Sequence, residues 1–179
     1  MSVIEDLDLE RRGGRIDEVL AYNLAELYAR GFARTAGYLA RAGLSPAKWN
    51  ALLMARYVGG VAGLAQNRLA ELLIVSGGNV TGLIDRLERQ GLVERSARPG
   101  DRRVHVIRAT RRGARLIEEL WPGYLATLQE FTRPLSARQK RQTAALLEHW
   151  RKGLRRANGN RGVLVVRGAA GRGARGDRQ

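Results

Sequence analysis

Apolar positions recur at intervals of three and four residues along most of the chain, which predicts a mainly helical protein. Between residues 16 and 40 this period defines one long amphipathic helix. Ser45 and Pro46 then supply the N-cap and first position of a second helix, which stops at Gly59-Gly60. A short helix at about 66–73, a glycine-containing turn and a longer helix closed by Gly91 follow. Two helices joined by such a tight turn form a helix-turn-helix pattern.

After Gly91 the period shortens to two β-leaning runs, 92–96 and 103–109, around the Pro-Gly turn at 99–100. A hairpin directly after a helix-turn-helix is a wing. Thr110 is placed to cap a further helix, which Pro122 should kink or split, and Ser136 opens the last one. The expected fold class is therefore mainly α with a small β-wing, a winged helix-turn-helix lobe flanked by long N- and C-terminal helices.

The chain divides into five predicted segments. They are a polar lead-in (1–14), an N-terminal dimerisation helix (15–43), the winged helix-turn-helix lobe (44–110), C-terminal dimerisation helices (111–156) and a flexible Gly/Arg-rich basic tail (157–179). The dimerisation assignment follows from burial, because the apolar stripes of the flanking helices are more than a lobe of this size can cover.

The amino-acid composition argues against several classes of functional site. The 179 residues include no cysteine and only two histidines, His105 and His149, so no disulfide, metal site or other cofactor is predicted. No histidine-centred triad or phosphate-binding glycine loop is present, so we do not expect an enzyme. No apolar run is long enough to cross a membrane and the N-terminus is acidic, so the expected location is the cytoplasm, without membrane association.

The net charge of +15 indicates an acidic partner, and nucleic acid is the default. Ten arginines and three acids lie between residues 86 and 115. Arginines on both sides of the wing turn suit the negative potential of a minor groove. The candidate wing residues are Arg98, Asp101, Arg102 and Arg103, with Asp101 expected to pair with Arg98 or Arg103 and hold the turn. The alternative is a solvated hairpin with incidental charge.

The exposed face of the helix that follows the turn carries small and hydrogen-bonding residues near its N-terminus. Small residues let the backbone approach the major groove, and the polar ones can bond base edges or phosphates. The candidates are Ser76, Gly77, Gly78, Asn79, Thr81, Gly82 and Arg86. Taken alone, this helix is equally compatible with an ordinary surface helix that has a glycine-rich cap.

An ordered set of motifs extends this interpretation. The runs are QNRLAELL at 66–73, SGGNVT at 76–81, DRLE at 85–88, GLVER at 91–95 and DRR at 101–103. In order and spacing, from about Leu44 to Glu119, the chain resembles the MarR family of winged-helix transcription regulators. The resemblance implies a homodimer that binds a palindrome in double-stranded DNA, with 76–86 as recognition helix and 101–103 as wing tip. It further implies a regulator, more often a repressor, relieved by a ligand.

The resemblance also implies a small aromatic or phenolic ligand bound between the dimer helices and the lobe. Tyr38, Trp49 and Tyr57 are the candidates for lining that pocket, and the alternative for each is an ordinary core position. A second functional hypothesis stays open: a non-specific nucleic-acid-binding or architectural protein that uses its basic surface and tail.

Overall fold

The computed structural model describes residues 16–73, 77–98 and 100–157. The predicted polar lead-in, Ser76, Pro99 and the tail beyond residue 157 lie outside these ranges. The helices are α1 (Ile16–Ala40), α2 (Pro46–Leu53), α3 (Gln66–Leu72), α4 (Gly77–Arg89), α5 (Arg111–Phe131) and α6 (Ala137–Ala157), and a π-helical segment (Met54–Val58) extends α2. The strands are β1 (Leu64–Ala65), β2 (Val93–Arg98) and β3 (Asp101–Ala109). The predicted fold class is confirmed.

Capping residues begin and end several of these helices at the positions that the sequence predicts. Oγ of Ser45 accepts a hydrogen bond from the backbone N–H of Lys48, and Pro46 is the first residue of α2. Oγ1 of Thr110 likewise accepts from the N–H of Gly113 at the start of α5. Gly91, at φ +66°, ends α4 while the N–H of Leu92 bonds the carbonyl of Leu87. That pattern is the glycine-terminated helix stop the sequence predicts.

The three strands form one antiparallel sheet in the order β1-β3-β2. In the wing, Val93 pairs with Ala109 and Arg95 with Ile107, and the register shifts at Ala97 and Arg98 just before the turn. Both wing strands are longer than predicted, since the pairing continues outward to Arg98 and Asp101. Strand β1 was not predicted, because two residues carry no periodic signal; its Leu64 pairs with Ile107.

A single apolar core joins α2, α3, α4, the sheet and the first half of α5. Its fully buried side chains include Trp49, Leu52, Leu69, Ile84, Leu87, Ile107 and Ile117. The C-terminal half of α1 seals this core with Leu39, and the hydroxyl of Tyr38 donates to the carbonyl of Leu120 in α5 over 3.0 Å. The winged lobe is therefore continuous with the junction of α1 and α5.

Helix α5 runs through Pro122 as one helix, so of the predicted kink or split the split does not occur. Proline removes one backbone donor, leaving the carbonyl of Glu118 without its usual partner. Because Glu118 and Pro122 are both exposed, water can serve that carbonyl and the helix can continue. None of the described helices combines the length and apolar content needed to cross a bilayer.

Candidate DNA-binding surface

One face of helix α4 packs into the apolar core and the opposite face is exposed to solvent. The anchoring side chains are apolar and helically spaced: Val80, Leu83, Ile84 and Leu87. On the opposite face Thr81 and Arg86 are exposed and Gly82 is half-buried. Gly77, Gly78 and Asn79 form the first turn, of which the backbone alone is described. The described part of the predicted recognition face is thus accessible on a rigidly packed helix.

Gly82 leaves room for the side chain of Arg86. A Cβ placed on Gly82 would lie 3.5 Å from Nη1 of Arg86, so the guanidinium folds back along α4 toward its N-terminus. Long helical side chains generally lean in this direction. An alanine at position 82 would keep an ordinary van der Waals distance from this guanidinium, so the position accepts a small residue.

Thr81 is held from the neighbouring helix. Nε2 of Gln66, the first residue of α3, donates a hydrogen bond to Oγ1 of Thr81 over 3.1 Å. Because the threonine oxygen accepts this bond, its own proton remains available to donate elsewhere. Gln66 was not among the predicted site residues, since nothing in the sequence pattern shows that two helices bring these positions together.

The two acids in the second half of α4 are turned toward the wing. Asp85 and Glu88 meet Arg95 of β2: Nη2 of Arg95 bonds Oδ1 of Asp85, and its backbone N–H donates to Oε1 of Glu88 over 3.1 Å. The Arg95 side chain is only 21% exposed. This cluster holds α4 against β2. Because Asp85 and Glu88 are paired with Arg95, they do not neutralise the other arginines of the lobe.

At the wing turn, Arg98, Asp101 and Arg103 are all exposed, and Gly100 has a φ of +83°. Oδ1 of Asp101 accepts from the backbone N–H of Arg103 over 3.0 Å. The sequence predicted an ion pair of Asp101 with Arg98 or Arg103, and among the described side chains no such pair forms. Asp101 nevertheless shapes the turn, through the backbone. For Arg102 the structure describes the backbone position only.

Arg108 is a structural residue, although the sequence counted it with the DNA-facing charge. Its guanidinium donates to the carbonyls of Val61 and Ala62, both over 3.0 Å, and to Oγ of Ser96 over 2.6 Å. It therefore ties the loop before β1 to the wing. With Arg95, this removes two of the ten arginines between 86 and 115 from the charge available to a partner.

The three predicted pocket residues do not converge. Trp49 is completely buried in the core, where its ring centroid lies 5.2 Å from the ring centroid of Tyr124. Tyr57 is 65% exposed, at the end of the π-helical segment. Tyr38 alone borders a cleft, while its hydroxyl bonds the carbonyl of Leu120.

That cleft, about 710 Å³ in volume, lies between the end of α1, the C-terminal cap of α4 and α5. Besides Tyr38, its polar lining consists of Arg41, Gln90, Arg112, Arg115 and Glu119. Its apolar lining includes Leu92, Leu116 and Leu120. Three guanidinium groups beside apolar side chains suit a small organic anion. The sequence pattern does not reveal these arginines as a group, because Arg41 directly follows α1 while Arg112 and Arg115 lie on α5, about 70 residues later.

The fold defines a winged helix-turn-helix protein, and comparison with known proteins agrees. Residues 42–104 match the model of the MarR family. The chain is 29% identical over 106 residues to the HTH-type transcriptional regulator MhqR of Bacillus subtilis, a match that covers 59% of this chain and 71% of MhqR.

Solved structures give the same result. A probable transcriptional regulator from Pseudomonas aeruginosa is similar with a TM-score of 0.67 and 26% identity, covering 76% of this chain and 99% of that one. A mutant MarR from E. coli complexed with operator DNA shares the fold, with a TM-score of 0.66 and 24% identity over 73% of this chain and 91% of that one. Over residues 42–104 the chain is similar to the MarR family, whose members are transcription regulators.

Proposed function

We propose that this protein is a dimeric, sequence-specific DNA-binding regulator that occupies a palindromic operator and represses transcription. The observation that carries the proposal is how charge is arranged on the winged lobe. Arg86, Arg98 and Arg103 are exposed and, among the described side chains, pair with no acid. Asp85 and Glu88, the acids nearest to them on α4, are instead bound to Arg95. Unpaired arginines on one lobe suit phosphate contacts and groove readout.

In this proposal α4 enters the major groove. The small residues Gly77, Gly78 and Gly82 allow close approach, while Thr81 and Arg86 offer hydrogen bonds to base edges or phosphates. Arg98, Arg102 and Arg103 at the wing reach the adjacent minor groove, where a narrow groove concentrates negative potential.

Two unpartnered apolar stripes support the dimer. Helix α1 exposes Ile16, Leu20, Leu24, Leu27 and Tyr28 along one side, and α6 exposes Leu146, Leu147, Trp150 and Leu154. Helix α6 makes no extended contact with any other described element of the chain. Association of two copies through these helices would bury both stripes. It would also set two lobes roughly 34 Å apart, one turn of DNA.

Regulation by a small ligand is assigned in this proposal to the arginine-lined cleft. The cleft touches Gln90 and Leu92, which form the C-terminal cap of α4, and Tyr38, which bonds α5. A small aromatic anion there would contact the reading helix and the dimer helices together. If it binds the form that cannot engage DNA more tightly, it shifts the population off the operator.

Replacing both Arg102 and Arg103 by alanine tests the DNA-binding assignment. The change should weaken operator binding by about a hundredfold at low salt and reduce the salt dependence, since two cations that face the groove are removed. Arg30→Ala with Arg34→Ala, on α1, removes the same charge from another surface and should have little effect. Fluorescence anisotropy measures both, and an unchanged affinity of the wing variant contradicts the assignment.

A separate titration tests the cleft. Benzoate, as an aromatic carboxylate probe, should release the protein from its operator, and Arg41→Gln with Arg112→Gln should abolish that response without weakening DNA binding. Arg30→Gln with Arg34→Gln, which removes the same charge from α1, is the matched control. Release that is equal in all three proteins contradicts the cleft assignment and leaves the operator-binding proposal intact.

A further inference from the structure

Helix α6 has two opposed faces. Leu147, Trp150 and Leu154 recur at three and four residues and define an apolar face. Arg138, Arg141, Lys152 and Arg156 also fall at helical spacing and lie on the opposite side; we call them the basic face of α6. All four are exposed. The family resemblance accounts for the apolar face, as a dimer contact, and leaves the basic face without a role.

The helix is formed locally and does not depend on packing for its start. Oγ of Ser136 accepts from the N–H of Gln139, and Oε1 of Gln139 accepts from the N–H of Ser136 over 2.8 Å. This reciprocal cap fixes the first turn. The residues of the basic face are therefore part of a regular helix, which spaces them evenly along the helix axis.

Most of the positive charge on α6 is uncompensated. Residues 137–157 contain seven arginines and lysines and one acid, Glu148. Glu148 bonds Arg151 over 2.7 Å and lies 3.4 Å from Lys152. The hydrogen bond from Arg151 lowers the pKa of Glu148. The charge of this acid is therefore balanced by Arg151 and Lys152, at the edge of the basic face. Among the described side chains, Arg138, Arg141 and Arg156 pair with no acid.

Size and chemistry favour a phosphate polymer over an anionic membrane. From residue 138 to residue 156 the face extends about 27 Å at 1.5 Å per residue, comparable with about eight base pairs of duplex. Ala145 and His149 lie between the basic positions, so the face has no large apolar side chain to insert into a bilayer.

We propose that the basic face of α6 binds the phosphate backbone of a second DNA segment, outside the operator and without sequence preference. The inference rests on the proposed function, since the dimer buries the apolar face and leaves both basic faces exposed. Each operator-bound dimer then presents a second DNA-binding surface and can bridge two duplexes. Arg138, Arg141 and Arg156 each supply a charge-assisted hydrogen bond to phosphate.

A capture experiment tests bridging with the full-length protein. A biotinylated operator duplex is immobilised and loaded with protein, free protein is washed away, and a labelled duplex of scrambled sequence is added. The wild-type protein should capture the second duplex, and a labelled operator duplex should be captured equally well. Arg138→Gln, Arg141→Gln and Arg156→Gln together should reduce capture about tenfold. They should also lower the salt slope by about 3, because three phosphates are no longer neutralised by the protein.

The matched control removes three charges elsewhere: Arg30→Gln, Arg34→Gln and Arg133→Gln should leave capture unchanged. All three proteins should bind the immobilised operator equally well. If the wild-type protein does not bind the operator, the result contradicts the proposed function and not this inference. Capture that is absent in the wild type, unchanged in the α6 variant or selective for operator sequence overturns the inference. So does binding to phosphatidylglycerol vesicles, in place of DNA, that requires the same arginines.

Discussion

Nε2 of Gln66 lies 3.1 Å from Oγ1 of Thr81, and this hydrogen bond joins the first residue of α3 to the exposed face of α4. It connects the two helices of the helix-turn-helix at the surface proposed to meet DNA. Since Gln66 donates, the threonine hydroxyl has a fixed acceptor side and a free proton. We infer that Gln66 positions Thr81 for readout without touching the DNA bases.

Gln66→Ala should therefore weaken operator binding by about 1 kcal/mol, the usual net worth of one hydrogen bond. Thr81→Ala should cost a similar amount or more, and the double variant should cost little beyond Thr81→Ala alone. Glu71→Ala, an exposed change on the same helix, serves as control. Strictly additive effects in this double-mutant cycle would show that Gln66 does not act through Thr81.

Arg95→Met should destabilise the lobe. It leaves Asp85 and Glu88 facing each other without their shared cation, and we expect a loss of about 1 to 2 kcal/mol in the free energy of unfolding. Arg111→Met, at an exposed arginine, should change stability by less than about 0.5 kcal/mol. Urea denaturation compares the two, and equal stabilities would mean that the Arg95 cluster contributes nothing to the fold.

Two helical glycines should respond in opposite directions to alanine. A Cβ at Gly113 would collide with the carbonyl oxygen of Leu92, so Gly113→Ala should cost about 1 to 3 kcal/mol. A Cβ at Gly153 meets nothing within 4 Å, so Gly153→Ala should stabilise its helix by about 0.5 to 1 kcal/mol. Thermal unfolding of both variants measures the contrast; a stabilised Gly113→Ala protein would refute the close approach of α5 to the wing.

Leu147→Glu should dissociate the proposed dimer, because it places a charge in the apolar stripe of α6 that the dimer contact would bury. Ala145→Glu introduces the same side chain on the opposite side of the same helix and should leave the dimer intact. Size-exclusion chromatography with light scattering distinguishes monomer from dimer. If both variants remain dimeric, or the wild type is itself a monomer, the dimer contact does not involve this face.

The parts of the fold that the sequence predicts are those specified by neighbouring residues. Ser45, Thr110 and Gly91 act on backbone groups within a few positions, so their roles can be read directly from the chain. The apolar period of α4 also fixes which side of the helix turns outward. Consequently the helix-turn-helix and the wing follow from local pattern, and the exposure of Thr81 and Arg86 follows with them.

Other features depend on contacts between distant segments. Arg108 and Arg98 are alike in sequence, yet Arg108 bonds a loop 46 and 47 residues earlier and Arg98 is exposed. Strand β1 exists because β3 offers it an edge. Helix α5 passes Pro122 because that stretch is exposed. None of these outcomes has a local signal.

Selection of bound fragments from random double-stranded DNA tests the proposed function most directly. A dimeric operator reader should enrich an inverted repeat whose half-site centres are about 10 base pairs apart. It should bind that repeat at least about a thousandfold more tightly than scrambled DNA at physiological salt. Enrichment of no sequence, with less than about tenfold preference for any fragment, would contradict specific recognition and favour a purely electrostatic DNA-binding protein.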